Sequence, residues 1–229
     1  MSANLASALT PTMPTAATIT APGVPDLYQG MEFWDFSLVD PDNRRPVDYE
    51  ARRNLLGVVR GMTAEAVWSR ASTGAPKLFV VQKTLDVRKR RRDAFGTSGG
   101  YSPIAATGER SAHVVSFARG DEVITIAPRL VMALGCRWAN TSIDLAPGAW
   151  INAFTGDRYE GTMDRGRLHG RGQYFSRDGD RNDLGLSRVS LARNLDIPLF
   201  IRAAIDIALN GQDRAIDMVR ATGDAIEDT

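Results

Sequence analysis

The sequence predicts an α/β barrel fragment, a last βα unit with the helices that follow it, joined to a C-terminal antiparallel β-sandwich domain. Three observations predict it. A short apolar stretch closed by Gly, PGVPDLYQG at Pro22 to Gly30, precedes a polar loop, DPDNRRPVDY at Asp40 to Tyr49, and then a helical pattern. Strand, polar loop and helix in that order make the βα unit of a barrel, whose ligand-binding groups sit on loops at the carboxyl ends of the strands. A second helical pattern follows. From Gly96 onward the chain turns to short β-rich runs separated by turn residues, the mark of an antiparallel sandwich.

Composition narrows the function classes. With 229 residues, 43% of them hydrophobic, the chain has enough apolar material for one large or two small domains. Its 28 Lys and Arg nearly cancel 27 Asp and Glu, leaving +1, which gives no reason to expect nucleic acid or an anionic membrane as partner. A neutral or small polar ligand fits better. The single cysteine, Cys136, excludes an internal disulfide, suits a reducing cytosol and reads as a small core residue. Residues 1–20 lack the basic and long apolar regions of a signal peptide, and no run of eighteen apolar residues exists. The expected location is cytoplasmic.

The elements follow in order. Residues 1 to 16, rich in Ala, Thr, Ser and Pro, allow a short helix and a loop. The stretch VPDLYQG has the length of a buried strand. From Val47, VDYEARRNLLGVVRG spaces Tyr49, Arg52, Leu55, Leu56 and Val59 at helical intervals, with Asp48 as N-cap and Gly61 as stop. APKLFVVQKTLDVRKRRRDAF places Leu78, Val81, Leu85 and Val87 or Phe79 on one stripe, with Pro76 near the start. Its Arg88 to Arg92 end carries cations where the macrodipole favours them, and without interleaved aromatic residues it reads as a solvated face. SAHVVSFARGDEVITIAPRL is two β runs joined at Arg119-Gly120-Asp121, a hairpin signal. His113 falls within the first run, on the face of Val115 and Phe117. Further turns are expected at Pro147-Gly148 and Thr155-Gly156-Asp157.

From Thr162 to Arg188 the chain is rich in Gly, Arg and Asp. DGDRND, Asp178 to Asp183, resembles the start of a calcium loop, but Asp183 stands where Gly is required and Val189 where Glu is required. His169 has no partner at metal-ligand spacing. No metal or cofactor is expected. NLDIPLFIRAAIDIAL is apolar again, and Ala203 to Thr229 reads as an amphipathic helix. The expected divisions are therefore 1–96, 97–202 with an insertion at 162–188, and a helical tail at 203–229.

One segment carries a resemblance. Ala21 to Leu56 resembles the last βα unit of the α-amylase family of glycoside hydrolases, whose signature there is Gly-x-Pro, Tyr, Gly and Glu; the matching residues are Gly23, Pro25, Tyr28, Gly30 and Glu32. Gln29, the aromatic-Trp-Asp of Phe33 to Asp35, and Asp40 to Asp48 resemble the maltooligosyl trehalose synthases within that family. The likeness continues more loosely through Leu85 to Arg92, Gly100 to Pro103, Ala112 to Val114, Pro128 to Leu130 and Trp138, to about Gly161. Leu191 to Arg202 matches that family's apolar last strand.

The resemblance implies that residues 1–96 are the C-terminal end of a (β/α)8 catalytic barrel. It implies an isomerase activity, intramolecular transglucosylation of the reducing-end α-1,4 linkage of a maltodextrin to α,α-1,1, in the biosynthesis of trehalose. The chemistry would follow retaining-glycosidase logic, with the released glucose and not water as acceptor. The family's nucleophile, acid/base and third carboxylate lie on strands before PGVPDLYQG, so none carries over and the chain alone is expected to be inactive. Tyr28, Gln29, Glu32, Asp40, Asp42, Asn43, Arg44 and Arg45 are the expected sugar-binding residues, the two guanidinium groups offering fixed forks of donors. The implied partners are a maltodextrin or other α-1,4-glucan and, if made as a separate chain, an N-terminal barrel portion. The other readings are an inactive remnant or a non-catalytic glucan-binding sandwich using Trp138, Trp150 and Tyr159 as a platform.

Overall fold

The computed structural model describes residues 12–35, 46–134, 138–146 and 149–156, and five further strands by their backbone alone. The first half is helical. Helix α1 spans Thr12–Thr20, α2 Tyr49–Val59, α3 Ala64–Trp68, α4 Ala75–Arg90 and α5 Arg92–Phe95, with a 3-10 turn at Ala71–Thr73 before α4. Asp48 caps α2 as expected, its side chain accepting from the Ala51 amide at 2.9 Å, and Thr63 caps α3 through the Ala66 amide. Pro76 sits in the first turn of α4, where its missing N–H costs nothing.

Helix α4 corrects the expected stripe. Leu78, Val81, Phe79 and Val87 are buried, but so are Ala75, Pro76, Lys77, Val80 and Thr84, whereas Leu85 is exposed. The first two turns are enclosed all round because α1, α2 and α3 all pack on α4. Only the C-terminal half has a solvent side. Arg88 is not merely a solvated cation either: it donates to the Ile19 carbonyl at 2.7 Å and the Gly23 carbonyl at 3.2 Å, and its guanidinium lies 5.1 Å from the Phe95 ring centroid. It thus caps the C-terminus of α1 across 69 residues of chain.

Two antiparallel sheets follow. Strands β1 (Tyr101–Pro103), β3 (Val114–Arg119), β4 (Val123–Pro128), β6 (Ala149–Asn152), β7 (Arg158–Gly161), β8 (Gly172–Phe175), β9 (Arg181–Leu184) and β11 (Asp206–Asn210) form one, in the order β1-β3-β4-β11-β6-β7-β8-β9. Strands β2 (Ala106–Thr107), β5 (Ser142–Asp144) and β10 (Arg188–Ser190) form the other, with β5 in the middle. A four-residue helix, α6, lies at Val131–Leu134. The β3–β4 hairpin closes where expected, Arg119 opposite Val123 with Gly120 at φ +53°.

Strand β4 joins the two halves. All six of its residues are buried. With side chains alternating at period two, Val123 and Ala127 enter a cluster with Ala16, Val59, Val67, Phe79, Val80, Val87 and Phe154, while Ile124 and Ile126 enter another with Leu134, Trp138, Ile143, Leu145 and Trp150. Thr125 is the polar member of the helix-facing side, and its hydroxyl donates to Thr20 Oγ1 at 2.9 Å, which in turn donates to the Ala16 carbonyl at 2.7 Å. Buried hydroxyls satisfied in series cost the core little.

Three expectations are corrected. Residues 22–30 are not a strand: they run without regular structure into turns at 29–32, and Val24 is 95% exposed. A strand needs hydrogen-bonded neighbours, and the described residues supply none beside this segment, nor a closed barrel. The tail at 203–229 is not helical throughout, because Asp206–Asn210 inserts as β11 between β4 and β6. The alternation in Asp206-Ile207-Ala208-Leu209 is a period-two signal, and the open edges of β4 and β6 reward it. His113 belongs to a 3-10 turn at Ser111–His113 before β3, its Nδ1 3.3 Å from the Arg129 carbonyl. Arg181–Leu184, including the last half of the calcium-like segment, is strand β9. Cys136, His169, Leu191–Arg202 and the Pro147-Gly148 turn lie outside the described residues.

Candidate functional site

The sugar-binding expectation centres on residues 28–45, of which 28–35 are described. Gly30 adopts φ +93°, and a Cβ there would lie 2.9 Å from Val47 Cγ2, so the turn requires glycine twice over. The Met31 amide donates to the Tyr28 carbonyl at 3.1 Å and closes the turn. Tyr28 stands half exposed at its head. Gln29 accepts from the Tyr49 hydroxyl at 3.0 Å, tying the turn to the start of α2.

Arg52 organises the rest. Its Nε donates to Glu32 at 2.9 Å, one terminal nitrogen to the Gly30 carbonyl at 2.5 Å and the other to the Asp48 carbonyl at 2.9 Å. The guanidinium also lies 4.6 Å from the Phe33 ring centroid. Three hydrogen bonds, one from each guanidinium nitrogen, and a ring face make this a role lysine could not fill. Glu32 is consequently held in place, with its side chain 35% exposed.

The far end of the segment rests on the entry to α4. The Trp34 indole N–H donates to the Ala71 carbonyl. Gly74, at φ +80°, leaves so little room that a Cβ would meet the Phe33 Cα and the Trp34 amide nitrogen at 3.2 Å. One turn further, Lys77 is 2% exposed. Burial holds its ammonium below the ordinary value of 10.5, while the charges of Asp35 and Glu32 pull it back up.

Of the expected residues, the structure brings Gln29, Glu32 and the exposed Tyr28 into one turn; Asp40, Asp42, Asn43, Arg44 and Arg45 lie outside the described residues. Two residues were missed. Arg52 was assigned to an amphipathic stripe, although an arginine on an otherwise apolar face four residues after the cap signals a polar task. Lys77 sits in the apolar run APKLFVV, in the helix turn least suited to a cation, and that mismatch was the available signal.

What the described arrangement leaves open to solvent is the half-exposed Tyr28 ring and part of the Glu32 carboxylate. Among the described residues no group of three or more His, Cys, Asp or Glu could hold a metal ion, and no helix is long and apolar enough to cross a membrane.

No protein-family profile matches the chain. Putative maltooligosyl trehalose synthases of two Mycobacterium tuberculosis strains, CDC 1551 / Oshkosh and H37Rv, are each 40% identical to it over 139 residues, covering 60% of this chain and 16% of the relative. The solved maltooligosyltrehalose synthase of Arthrobacter ramosus superposes with a TM-score of 0.62 at 29% identity, over 91% of this chain and 23% of that one. Another solved maltooligosyl trehalose synthase, at 20% identity and a TM-score of 0.56, shares the fold. The chain is thus similar to maltooligosyl trehalose synthases in sequence and in fold, and spans about a sixth of the curated relatives' length.

Proposed function

We propose that this chain is the C-terminal part of an intramolecular transglucosylase that forms maltooligosyl trehalose from maltodextrins, and that it works only with the remaining barrel portion of such an enzyme. The observation that carries this reading is the 40% identity sustained over 139 residues to proteins more than six times that length in coverage terms, the match taking 16% of each. In this reading residues 1–96 end a (β/α)8 barrel and the residues from 97 on, β11 at Asp206–Asn210 included, fold as its β-sandwich. The segment 22–30 becomes a barrel strand once neighbouring strands are supplied. Tyr28, Gln29, Glu32, Asp40, Asp42, Asn43, Arg44 and Arg45 line or support the glucose pocket. Such a pocket must hold released glucose and exclude water, which calls for rigidly placed polar groups. The Arg52 clamp is consistent with that need.

The competing reading, a stand-alone glucan-binding sandwich, requires an exposed aromatic platform. Trp138 and Trp150 are buried, and the Trp150 indole donates to the Ala146 carbonyl at 2.7 Å. Those positions favour core over platform.

The test is complementation. The chain is mixed or co-expressed with the part of the Mycobacterium synthase that precedes the matched region, and maltohexaose is the substrate. Maltooligosyl trehalose is expected from the pair and not from either piece. Product from this chain alone, or none from a pair that co-purifies, would overturn the reading.

A further inference from the structure

The segment that carries the motif is held at its two ends in the same way. At each end stands a glycine at positive φ, Gly23 at +99° and Gly30 at +93°, and each of these carbonyls accepts a hydrogen bond from an arginine on a later helix. Arg88, in the last turn of α4, donates from one terminal nitrogen to the Gly23 carbonyl at 3.2 Å and from the other to the Ile19 carbonyl at 2.7 Å. Arg52, in the first turn of α2, donates to the Gly30 carbonyl at 2.5 Å and to the Asp48 carbonyl at 2.9 Å. Each guanidinium is braced by an aromatic ring, Phe95 at 5.1 Å and Phe33 at 4.6 Å from the centroid. Charged donors are the strong class of hydrogen bond, and a two-pronged donor on a braced plane leaves its acceptors little freedom. Between the two anchors the chain is bare. Among the described residues no backbone hydrogen bond reaches residues 24–27, and Val24, Leu27 and Tyr28 are exposed.

We propose that Arg52 and Arg88 are paired positioning residues: acting on the two glycine carbonyls, they hold the ends of the segment 23–30 at a fixed span, so that residues 24–29 stand ordered before any strand pairs with them. The segment then offers a preformed edge that a neighbouring strand can take up without first ordering it, and that ordering is one of the costs of association. The identity of the neighbour, a strand of the remaining barrel portion, rests on the function proposed above. The two-ended clamp does not.

The experiment is NMR backbone relaxation on the whole chain, read at the amides of Val24, Asp26, Leu27 and Tyr28, with the β3–β4 hairpin as control. A run clamped at both ends gives order parameters of about 0.85, those of rigid backbone, although its amides exchange freely. In Arg52→Met and Arg88→Met alike they are expected to fall below about 0.6 with the hairpin unchanged, because freeing either end frees the whole run. Thr63→Ala, which deletes the α3 cap and touches neither anchor, should lower stability and leave the run ordered. A run already flexible in the unmodified chain, order unchanged in either arginine variant, or an equal fall in Thr63→Ala would overturn the proposal. Should Arg88→Met not fold, Arg52→Met decides alone by the same criterion. In the complemented pair, the amount of barrel portion needed for half-maximal product should rise about tenfold in either variant. An active pair with an unchanged requirement would overturn the role in docking, whereas a pair that forms no product removes the barrel neighbour and leaves the order parameters to judge the clamp.

Discussion

The turn segment at residues 22–35 and the α4–β4 core are held by opposite means. The core is apolar and continuous: Phe79 of α4 meets Phe154 at a ring separation of 6.1 Å, and β4 is buried on both faces. The turn segment has almost no apolar burial. It stands on a few polar ties, chiefly Arg52, Trp34 and the Gly74 approach, and leaves Val24, Leu27, Tyr28 and Met31 exposed. The difference teaches that the segment's shape comes from named hydrogen bonds and the contacts of Phe33 and Trp34 at the entry to α4, while Val24, Leu27, Tyr28 and Met31 add little to the core.

Substitutions can break that contrast or sharpen it. Phe79→Ala removes a ring from the shared core and should lower stability by about 3–5 kcal/mol in urea melts, while leaving the local ties of the turn intact in any molecules that remain folded. Gly74→Ala acts at the junction. Its φ of +80° and the 3.2 Å approach to Phe33 predict a loss of about 2 kcal/mol, accompanied by a change in the Trp34 indole resonance. Arg52→Ala should accelerate Met31 amide exchange strongly while changing the global melt by only about 1 kcal/mol, because the ties it breaks lie outside the core. Asp48→Ala, which deletes the α2 cap, should cost about 1 kcal/mol in the same melts.

The smallest effect is in pH. With the Lys77 ammonium held below 10.5 by burial, the unfolded chain binds more protons than the folded one between the folded value and 10.5. Stability therefore rises with pH through that window, despite the partial compensation by Asp35 and Glu32. Thermal melts across the alkaline range should show this slope in the unmodified chain and a shallower one in Lys77→Met.

Much of this architecture was legible in the residues. Asp48, Pro76 and the Arg119-Gly120-Asp121 turn act through local rules of capping and hairpin closure, so they announced themselves. The alternation within β4 was visible as an apolar run, but which face met helices and which met the second sheet depends on contacts distant in sequence. The same holds for the strand expected at residues 22–30 and for the helix expected at 206–210. Short apolar runs take the conformation their neighbours allow, and in the first case the described fold offers no partner edge whereas in the second β4 and β6 do. In the candidate site, the motif named Tyr28, Gln29 and Glu32 as expectations. It did not name Arg52 or Lys77, because a motif marks a loop and not the helices that hold it.

The most direct measurement is hydrogen exchange across residues 22–31, with and without the barrel portion of a maltooligosyl trehalose synthase that restores product formation. Pairing as a barrel strand predicts that the amides of Val24, Asp26, Leu27 and Tyr28 pass from rapid exchange in the chain alone to at least about a hundredfold protection in the assembled pair. Rapid exchange persisting in an active pair would contradict the claim that this segment is a strand awaiting its neighbours.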